Sequence, residues 1–327
     1  MASSALLPRV ILITIISTGL FFPNLWQPLL DRLWSALYHS SFYQASYFET
    51  VLTVLSYGII EPIYTARFGH NHDRRIDIRR GASDKSEKSD RPPVPKMKRP
   101  QHRLPEMVVY VAPLLLMDLT MVKKFAGVDV STIRQSAGYS PTQRHVHATF
   151  LAPSLHRFTW DSPLQLVRAL PVEAPTSRRL VTELTVALFL YDAFFFAIHL
   201  AFHKVPVLHS FHGPHHGHQE IHPQITNRLS VVERLSLVLL ANFALNIIGS
   251  HVLTRSLFVP MFVYLLIEIH SGVDLDWQYD KILPHGWGAG TRKHAIHHRE
   301  GRRYYEPFFC WWDEALALWE GVPTTST

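Results

Sequence analysis

Apolar residues along this chain are gathered into long runs separated by strongly charged stretches. The runs are Ala5 to Phe22, Val51 to Tyr64, Met107 to Val122, Leu184 to Leu200, Leu235 to Ile248 and Leu257 to Ile269. Such runs predict an all-α integral membrane protein with about four to six apolar helices. The first holds a single charge, Arg9, and lacks a small-x-small cleavage pattern before Pro23, so it reads as a membrane anchor. The second is flanked by aromatic residues, which suit a bilayer interface. The last two are each nearer 14 residues than the roughly 20 needed to span squarely, and Gly249 and Ser250 divide them. They read as a tight hairpin or re-entrant pair. A hairpin starts and ends on one side of the membrane, so it returns His270 and all that follows to the side that holds His199 to His222.

The polar stretches complete the organisation. Residues 67 to 103 carry twelve Lys/Arg, five Asp/Glu and Pro92, Pro93, Pro95 and Pro100, a composition that cannot bury a core and reads as a flexible cytosolic loop. Residues 125 to 180 are mixed, with scattered Pro and Arg, and suggest amphipathic segments lying on the membrane. The expected division is therefore an N-terminal anchor over 1–66, a charged loop over 67–104, a membrane helix with amphipathic segments over 105–180, a catalytic domain over 181–318 and a tail over 319–327.

Charge and cysteine content narrow the partners. The net charge of +6 and the isoelectric point near 9.4 come without a basic patch interleaved with aromatics, which argues against nucleic acid. The basic excess lies beside apolar runs, where anionic lipid headgroups are the matching partner. The single cysteine, Cys310, excludes an internal disulfide framework and a thiolate metal cluster. Its neighbours Phe309 and Trp311 mark it as a packed core thiol.

The chemistry is in the histidines. Fourteen of the 21 lie between His199 and His298. His199 and His203 form H-x3-H; His212, His215 and His216 form H-x2-H-H; His294, His297 and His298 repeat that spacing. Ligands three or four residues apart share a helix face, and neutral imidazole is the commonest nitrogen ligand for transition metals. Eight such histidines exceed what one tetrahedral zinc needs and suit two ions in a cytosolic, histidine-rich di-metal cap. Without thiolates, iron, copper, zinc and nickel all remain open.

The stretch HLAFHKVPVLHSFHGPHH from His199 resembles the fatty acid hydroxylase/sterol desaturase superfamily of membrane-bound non-haem di-iron oxygenases. The shared features are the two motifs nine residues apart, His222-Pro223, HSGVDLDW from His270 and the final HAIHH. A trailing YYEPFFCWWDEAL, Tyr304 to Leu316, resembles the family's Asn-Tyr-Gly element followed by Trp-Asp. The resemblance covers roughly 180 to 318. Departures are Ala295 where the family often has Asp, Tyr304-Tyr305-Glu306 in place of Asn-Tyr-Gly, and a missing Gly after the Trp-Asp element. Asp274 stands where many members have a second histidine, a form that resembles the sterol C4-methyl oxidase branch.

The resemblance implies metal ligation by His199, His203, His212, His215, His216, His222, His270, His294, His297 and His298, around a pair of iron ions. Asp274 and Asp192 are candidate carboxylates beside the site, orienting a ligand histidine; for Asp192, a helix–helix polar contact is the competing reading. His209 and His218 sit off the spacing. His251 is expected at the interface and His285 in a loop. The Phe194–Phe196 run reads as packing ahead of channel lining. The family chemistry implies a hydrophobic substrate (lipid, sterol, terpenoid or polyketide), O2, and an external cytochrome b5-type or reductase electron donor, since no haem module or dinucleotide fingerprint is visible. It also implies a multi-pass protein of the endoplasmic reticulum with its histidines facing the cytosol. A non-catalytic metal-binding membrane protein, either a carrier or a degenerate scaffold, and an aldehyde-deformylating member of the same fold are the rivals.

Overall fold

The computed structural model describes residues 5–68, 74–76, 104–138, 153–217 and 221–321. Most of the charged 67–103 stretch, and His218, lie outside the described residues. Thirteen α-helices run through the described chain: α1 (Leu6–Phe21), α2 (Pro23–Tyr38), α3 (Ser41–Gln44), α4 (Phe48–Phe68), α5 (Leu104–Thr120), α6 (Val130–Ser136), α7 (Ser177–Lys204), α8 (Pro206–His216), α9 (Val231–Ile247), α10 (Val252–Ile269), α11 (Tyr279–Ile282), α12 (Gly290–Glu300) and α13 (Trp311–Trp319). A short antiparallel pair, β1 (Met121–Val122) with β2 (Ser154–Leu155), is set in register Met121 opposite Leu155.

The six apolar runs appear as α1, α4, α5, α7, α9 and α10. By length and composition α7 and α10 are able to cross a membrane, and α1 with α2, bent by 92° at Phe22, makes a third candidate span. The hairpin expectation is corrected in two respects, the first being that α10 is 18 residues long and starts at Val252, not Leu257. Arg255 is accommodated inside it because its guanidinium bonds the side-chain oxygens of Asn242 and Asn246 and faces Glu49. The two arms also do not zip together. Instead α10 packs on α4 and α7, while α9 packs on α7 and α5, and α5 meets α4. These contacts close a ring of five helices, α4–α5–α9–α7–α10.

Close approach ties α1 to the start of α7. Gly19 lies so near Val181 that a Cβ there would sit 2.9 Å from its Cγ2, and Ser177 Oγ donates to the Gly19 carbonyl at 2.9 Å. The turn between α9 and α10 is closed by a buried polar knot. Glu183 accepts from His251 N at 2.9 Å and from the Thr254 hydroxyl. His251 is therefore a buried N-cap of α10, its Nδ1 accepting from Leu253 N, and not an interfacial residue. Large apolar side chains on α1, α2, α4, α5 and α9 remain exposed, as expected of faces turned to hydrocarbon.

At the other end of the ring, α7 delivers His199 and His203, and α9 starts while α10 ends. Pro206, at the first turn of α8, restarts the helix after Val205 leaves α7. Gly301, with φ of +64°, ends α12 in a left-handed turn that reverses the chain over the histidines.

Candidate metal centre

Nine of the ten histidines expected as ligands converge at this end. His199 and His203 from α7, His212 and His216 from α8 and His297 from α12 present ring nitrogens within 4.8 Å of one another; His215, His270 and His298 form a second such group. His294 adjoins the second group, its Nε2 lying 2.9 Å from that of His270 and 3.1 Å from that of His298. The rings of His216 and His298 stack at 4.7 Å, so the two groups are neighbours.

Outer hydrogen bonds decide which nitrogen faces in. The Nδ1 atoms of His199, His270 and His297 lie 2.7, 2.8 and 2.8 Å from the carbonyls of Tyr305, Leu266 and Arg303. Those of His215 and His216 reach the carbonyls of Arg228 and His298 at 3.2 and 3.3 Å. His212 Nδ1 meets the buried Glu233 carboxylate at 2.6 Å. A carbonyl or carboxylate oxygen only accepts, so each of these Nδ1 atoms carries the proton and each Nε2 is a bare lone pair.

The bare lone pairs face one another. His212 Nε2 is a hub, 3.1 Å from that of His199, 3.0 Å from His203 and 2.9 Å from His216, while His199 and His297 meet at 3.1 Å. Acceptor against acceptor at this range is repulsive unless a cation lies between. Nitrogens bound at about 2.1 Å stand about 3.0 Å apart at right angles around an ion and about 3.4 Å apart on a tetrahedron. The observed spacing matches the right-angled case, and the donor set fits a transition metal.

Burial favours the same state. It drives His216 down to about 3 and His270 to about 4, and holds His215, His294, His297 and His298 well below the usual imidazole range; neighbouring imidazoles add to the effect at all six, and at His270 the Leu266 carbonyl opposes it. All six are thus neutral and ready to ligate at neutral pH. His294 Nδ1 is buried without a partner.

The chain matches the fatty acid hydroxylase family over residues 184–317. All nine converging histidines lie inside that segment. Its similar proteins include a Rattus norvegicus cholesterol 25-hydroxylase, 34% identical over 155 residues (47% of this chain, 52% of the relative). The Homo sapiens cholesterol 25-hydroxylase is 34% identical over 174 residues, 53% and 62% of the two chains. A methylsterol monooxygenase of Aspergillus fumigatus is 30% identical over 155 residues, 45% and 50% of the two. The chain spans about half the length of these relatives. No solved structure matches it.

Within the matched segment the remaining expected residues sit elsewhere. His222 is buried as the N-cap of the single turn Pro223–Asn227 and belongs to neither histidine group. Asp274 does not orient His270, whose two nitrogens are occupied by Leu266 and His294; it pairs instead with Arg292 and, at 3.3 Å, with Lys281. Opposite charges on α11 and α12 outcompete a neutral imidazole for a carboxylate. Asp192 does not touch His199 either. Its Oδ1 accepts from Phe308 N at 2.9 Å and Phe309 N at 3.3 Å, and so pins the strand of chain whose Tyr305 carbonyl holds His199.

That strand is a built element. Asp313 accepts from Tyr305 N and Glu306 N, both at 2.8 Å, and donates its own N–H to Glu306 at 2.9 Å. Burial, then the adjoining Asp192 carboxylate, pushes the Glu306 carboxyl well above the ordinary range. Tyr304, at φ +61°, takes a left-handed conformation rare for a bulky residue, which aims the Arg303 and Tyr305 carbonyls at His297 and His199. His209 and His285 are exposed. Phe194 packs on Phe243, Phe195 on Tyr191 and His199, and Phe196 on Trp312. Cys310 is buried and accepts from Lys293 Nζ at 2.9 Å.

Glu233 was not singled out from sequence. The available signal was the Ser230-x-x-Glu233 capping box at the start of α9, which explains one carboxylate oxygen but not the other, held against His212. The carbonyls of Tyr305, Arg303 and Arg228 carry no side-chain signal at all.

Proposed function

We propose that this chain is a membrane-bound non-haem di-iron oxygenase that hydroxylates a sterol or related hydrophobic lipid. The observation that carries the reading is the set of inward-facing Nε2 atoms that meet at right-angle ligand spacing. The ligands are His199, His203, His212, His216 and His297 for one ion, and His215, His270, His294 and His298 for the other. A bound iron pair supplies reductive activation of O2 and insertion of one oxygen atom into a C–H bond.

The overall reaction is R–H + O2 + 2 e⁻ + 2 H⁺ giving R–OH + H2O. Two electrons come from the C–H bond and two from an external cytochrome b5-type or reductase partner. The chain's own part is positional. Tyr305, Leu266, Arg303 and Arg228 carbonyls hold the imidazole rings in one tautomer, the Glu233 carboxylate raises the basicity of His212, and the apolar helix ring below excludes water. Names among the relatives, cholesterol 25-hydroxylase and methylsterol monooxygenase, support a sterol as substrate. In this reading the chain sits in the endoplasmic reticulum, with the histidine end toward the cytosol. The divisions 1–66, 67–104, 105–180, 181–318 and 319–327 complete this reading, the fourth being the catalytic part.

The test is metal analysis and product analysis on one detergent-purified sample. About two iron ions per chain, and a product of cholesterol or a methylsterol heavier by one oxygen in the presence of a reducing partner, are expected. His215→Ala with His297→Ala removes a ligand from each group and should abolish both metal and product. Full turnover by that double variant overturns the assignment.

A further inference from the structure

Four helices of the ring, α4, α5, α9 and α10, line a cavity of about 390 Å³ with mainly aliphatic and aromatic walls. Leu237, Ala241 and Leu245 of α9 and Phe258, Phe262 and Leu266 of α10 are among its lining residues. The two ends of this cavity differ. One stops beneath the histidines, at Leu266, whose carbonyl holds His270, and at Leu229, which follows the Arg228 carbonyl that holds His215. The other lies eleven residues back along α10, about 16 Å by helical rise, at Arg255.

That remote end is polar. Arg255, Asn242, Asn246, Glu49, Thr53, Asp118 and Lys123 line it. Lys123 bridges Glu49 at 3.1 Å and Asp118 at 2.6 Å, and Arg168 holds Glu49 at 3.0 Å. This network accounts for the charges but not for every group. Asn246 accepts from Arg255 through Oδ1 at 2.8 Å, and its Nδ2 has no hydrogen-bond partner among the described residues. Thr53 donates to the Glu49 carbonyl at 2.7 Å, leaving its oxygen able to accept. A donor and an acceptor thus line the polar end of a mainly apolar cavity, able to pair with a polar group of a ligand.

The histidine-side half offers less. Tyr57, on α4 about 12 Å of helical rise beyond Glu49, lines the wall with a hydroxyl that makes no hydrogen bond among the described residues. Arg234 beside it is already engaged: it donates to the Asn227 carbonyl at 2.7 Å, stacks 4.0 Å over Tyr110, and its Nε is sealed from the cavity.

We infer that the cavity takes an amphipathic lipid lengthwise, its polar group at Asn246, Thr53 and Arg255, so that the carbon presented to the histidines is at the opposite end of the molecule. This rests on reading the histidines as the oxidising centre, and it goes further by setting which carbon is reached. Head-first entry, with the polar group at Tyr57, would instead present a carbon next to that group.

The probe is tritiated cholesterol, with its 3-deoxy analogue as competitor, bound to the metal-free full-length protein in detergent. Wild type should bind cholesterol about tenfold more tightly than the 3-deoxy analogue, the worth of one buried hydrogen bond. Asn246→Leu should erase that preference and leave binding of the analogue unchanged. Tyr57→Phe should leave the preference intact. A preference erased by Tyr57→Phe and kept by Asn246→Leu overturns the orientation, as does a wild type that binds the two sterols equally, a comparison that needs no variant. With metal and reductant restored, oxygen on the side chain supports the orientation, and oxygen on a ring carbon beside the 3-hydroxyl overturns it. Head-selective binding without any oxidation would refute the oxygenase reading while leaving the binding mode standing.

Discussion

Replacing Glu233 by Gln tests whether the metal centre is tuned from outside its ligands. Glu233 is 3% exposed, with Oε1 2.6 Å from His212 Nδ1 and Oε2 accepting from Ser230 N at 2.7 Å. His212 in turn is the hub whose Nε2 meets those of three other histidines. Loss of a carboxylate behind a ligand imidazole lowers metal affinity about 10- to 100-fold, or about 1.4 to 2.7 kcal/mol. Gln retains a capping-box partner for Ser230, so the start of α9 should survive. Glu233→Ala loses that as well and should cost about 1 kcal/mol more in fold stability. The assay is metal content after dialysis against graded chelator, beside melting of the metal-free proteins. Metal retention by Glu233→Gln equal to wild type would refute the argument, and so would metal-free Gln and Ala variants that melt together.

The Asp192–Glu306 pair predicts a pH dependence. The folded state holds a proton on Glu306 that the unfolded chain releases near pH 4.3, so its stabilising contribution is present below that value and declines as pH rises toward the raised folded value. Glu306→Gln, which mimics the protonated acid, should therefore melt with a shallower fall between pH 5 and 9 than wild type; equal slopes would count against a shared proton. The fold makes a topological prediction too. Arg74 and Ile76 bond the backbone of Asp274 and Gly272 at the histidine end, and Lys204 at the end of α7 reaches Glu320 at 3.8 Å. Epitope tags at residue 90 and at the C-terminus should thus be digested together in sealed microsomes, and protection of one alone would break the arrangement.

Much of this molecule can be read locally. Six apolar runs became six helices because hydrocarbon length and helix rise are properties of consecutive residues. The histidine spacing predicted shared helix faces for the same reason, and nine of the ten named residues do converge. The helix α2 was passed over because Asn24, Gln27, Asp31 and Arg32 interrupt its apolar face. Asp274 and Asp192 are expected from the sequence to orient ligand histidines, but their partners, Arg292 and the Phe308–Phe309 amides, lie 18 and about 116 residues away.

The sequence by itself therefore determined the class of protein, the helices and the grouping of the histidines, all of which follow from composition and short-range period. Only the tertiary structure decided the tautomers, because Nδ1 is oriented by carbonyls of Tyr305, Arg303 and Leu266, and backbone atoms are the same in every residue. It also decided that α9 and α10 enclose a cavity with one polar end. That depends on how five helices close into a ring, which no single run of residues encodes.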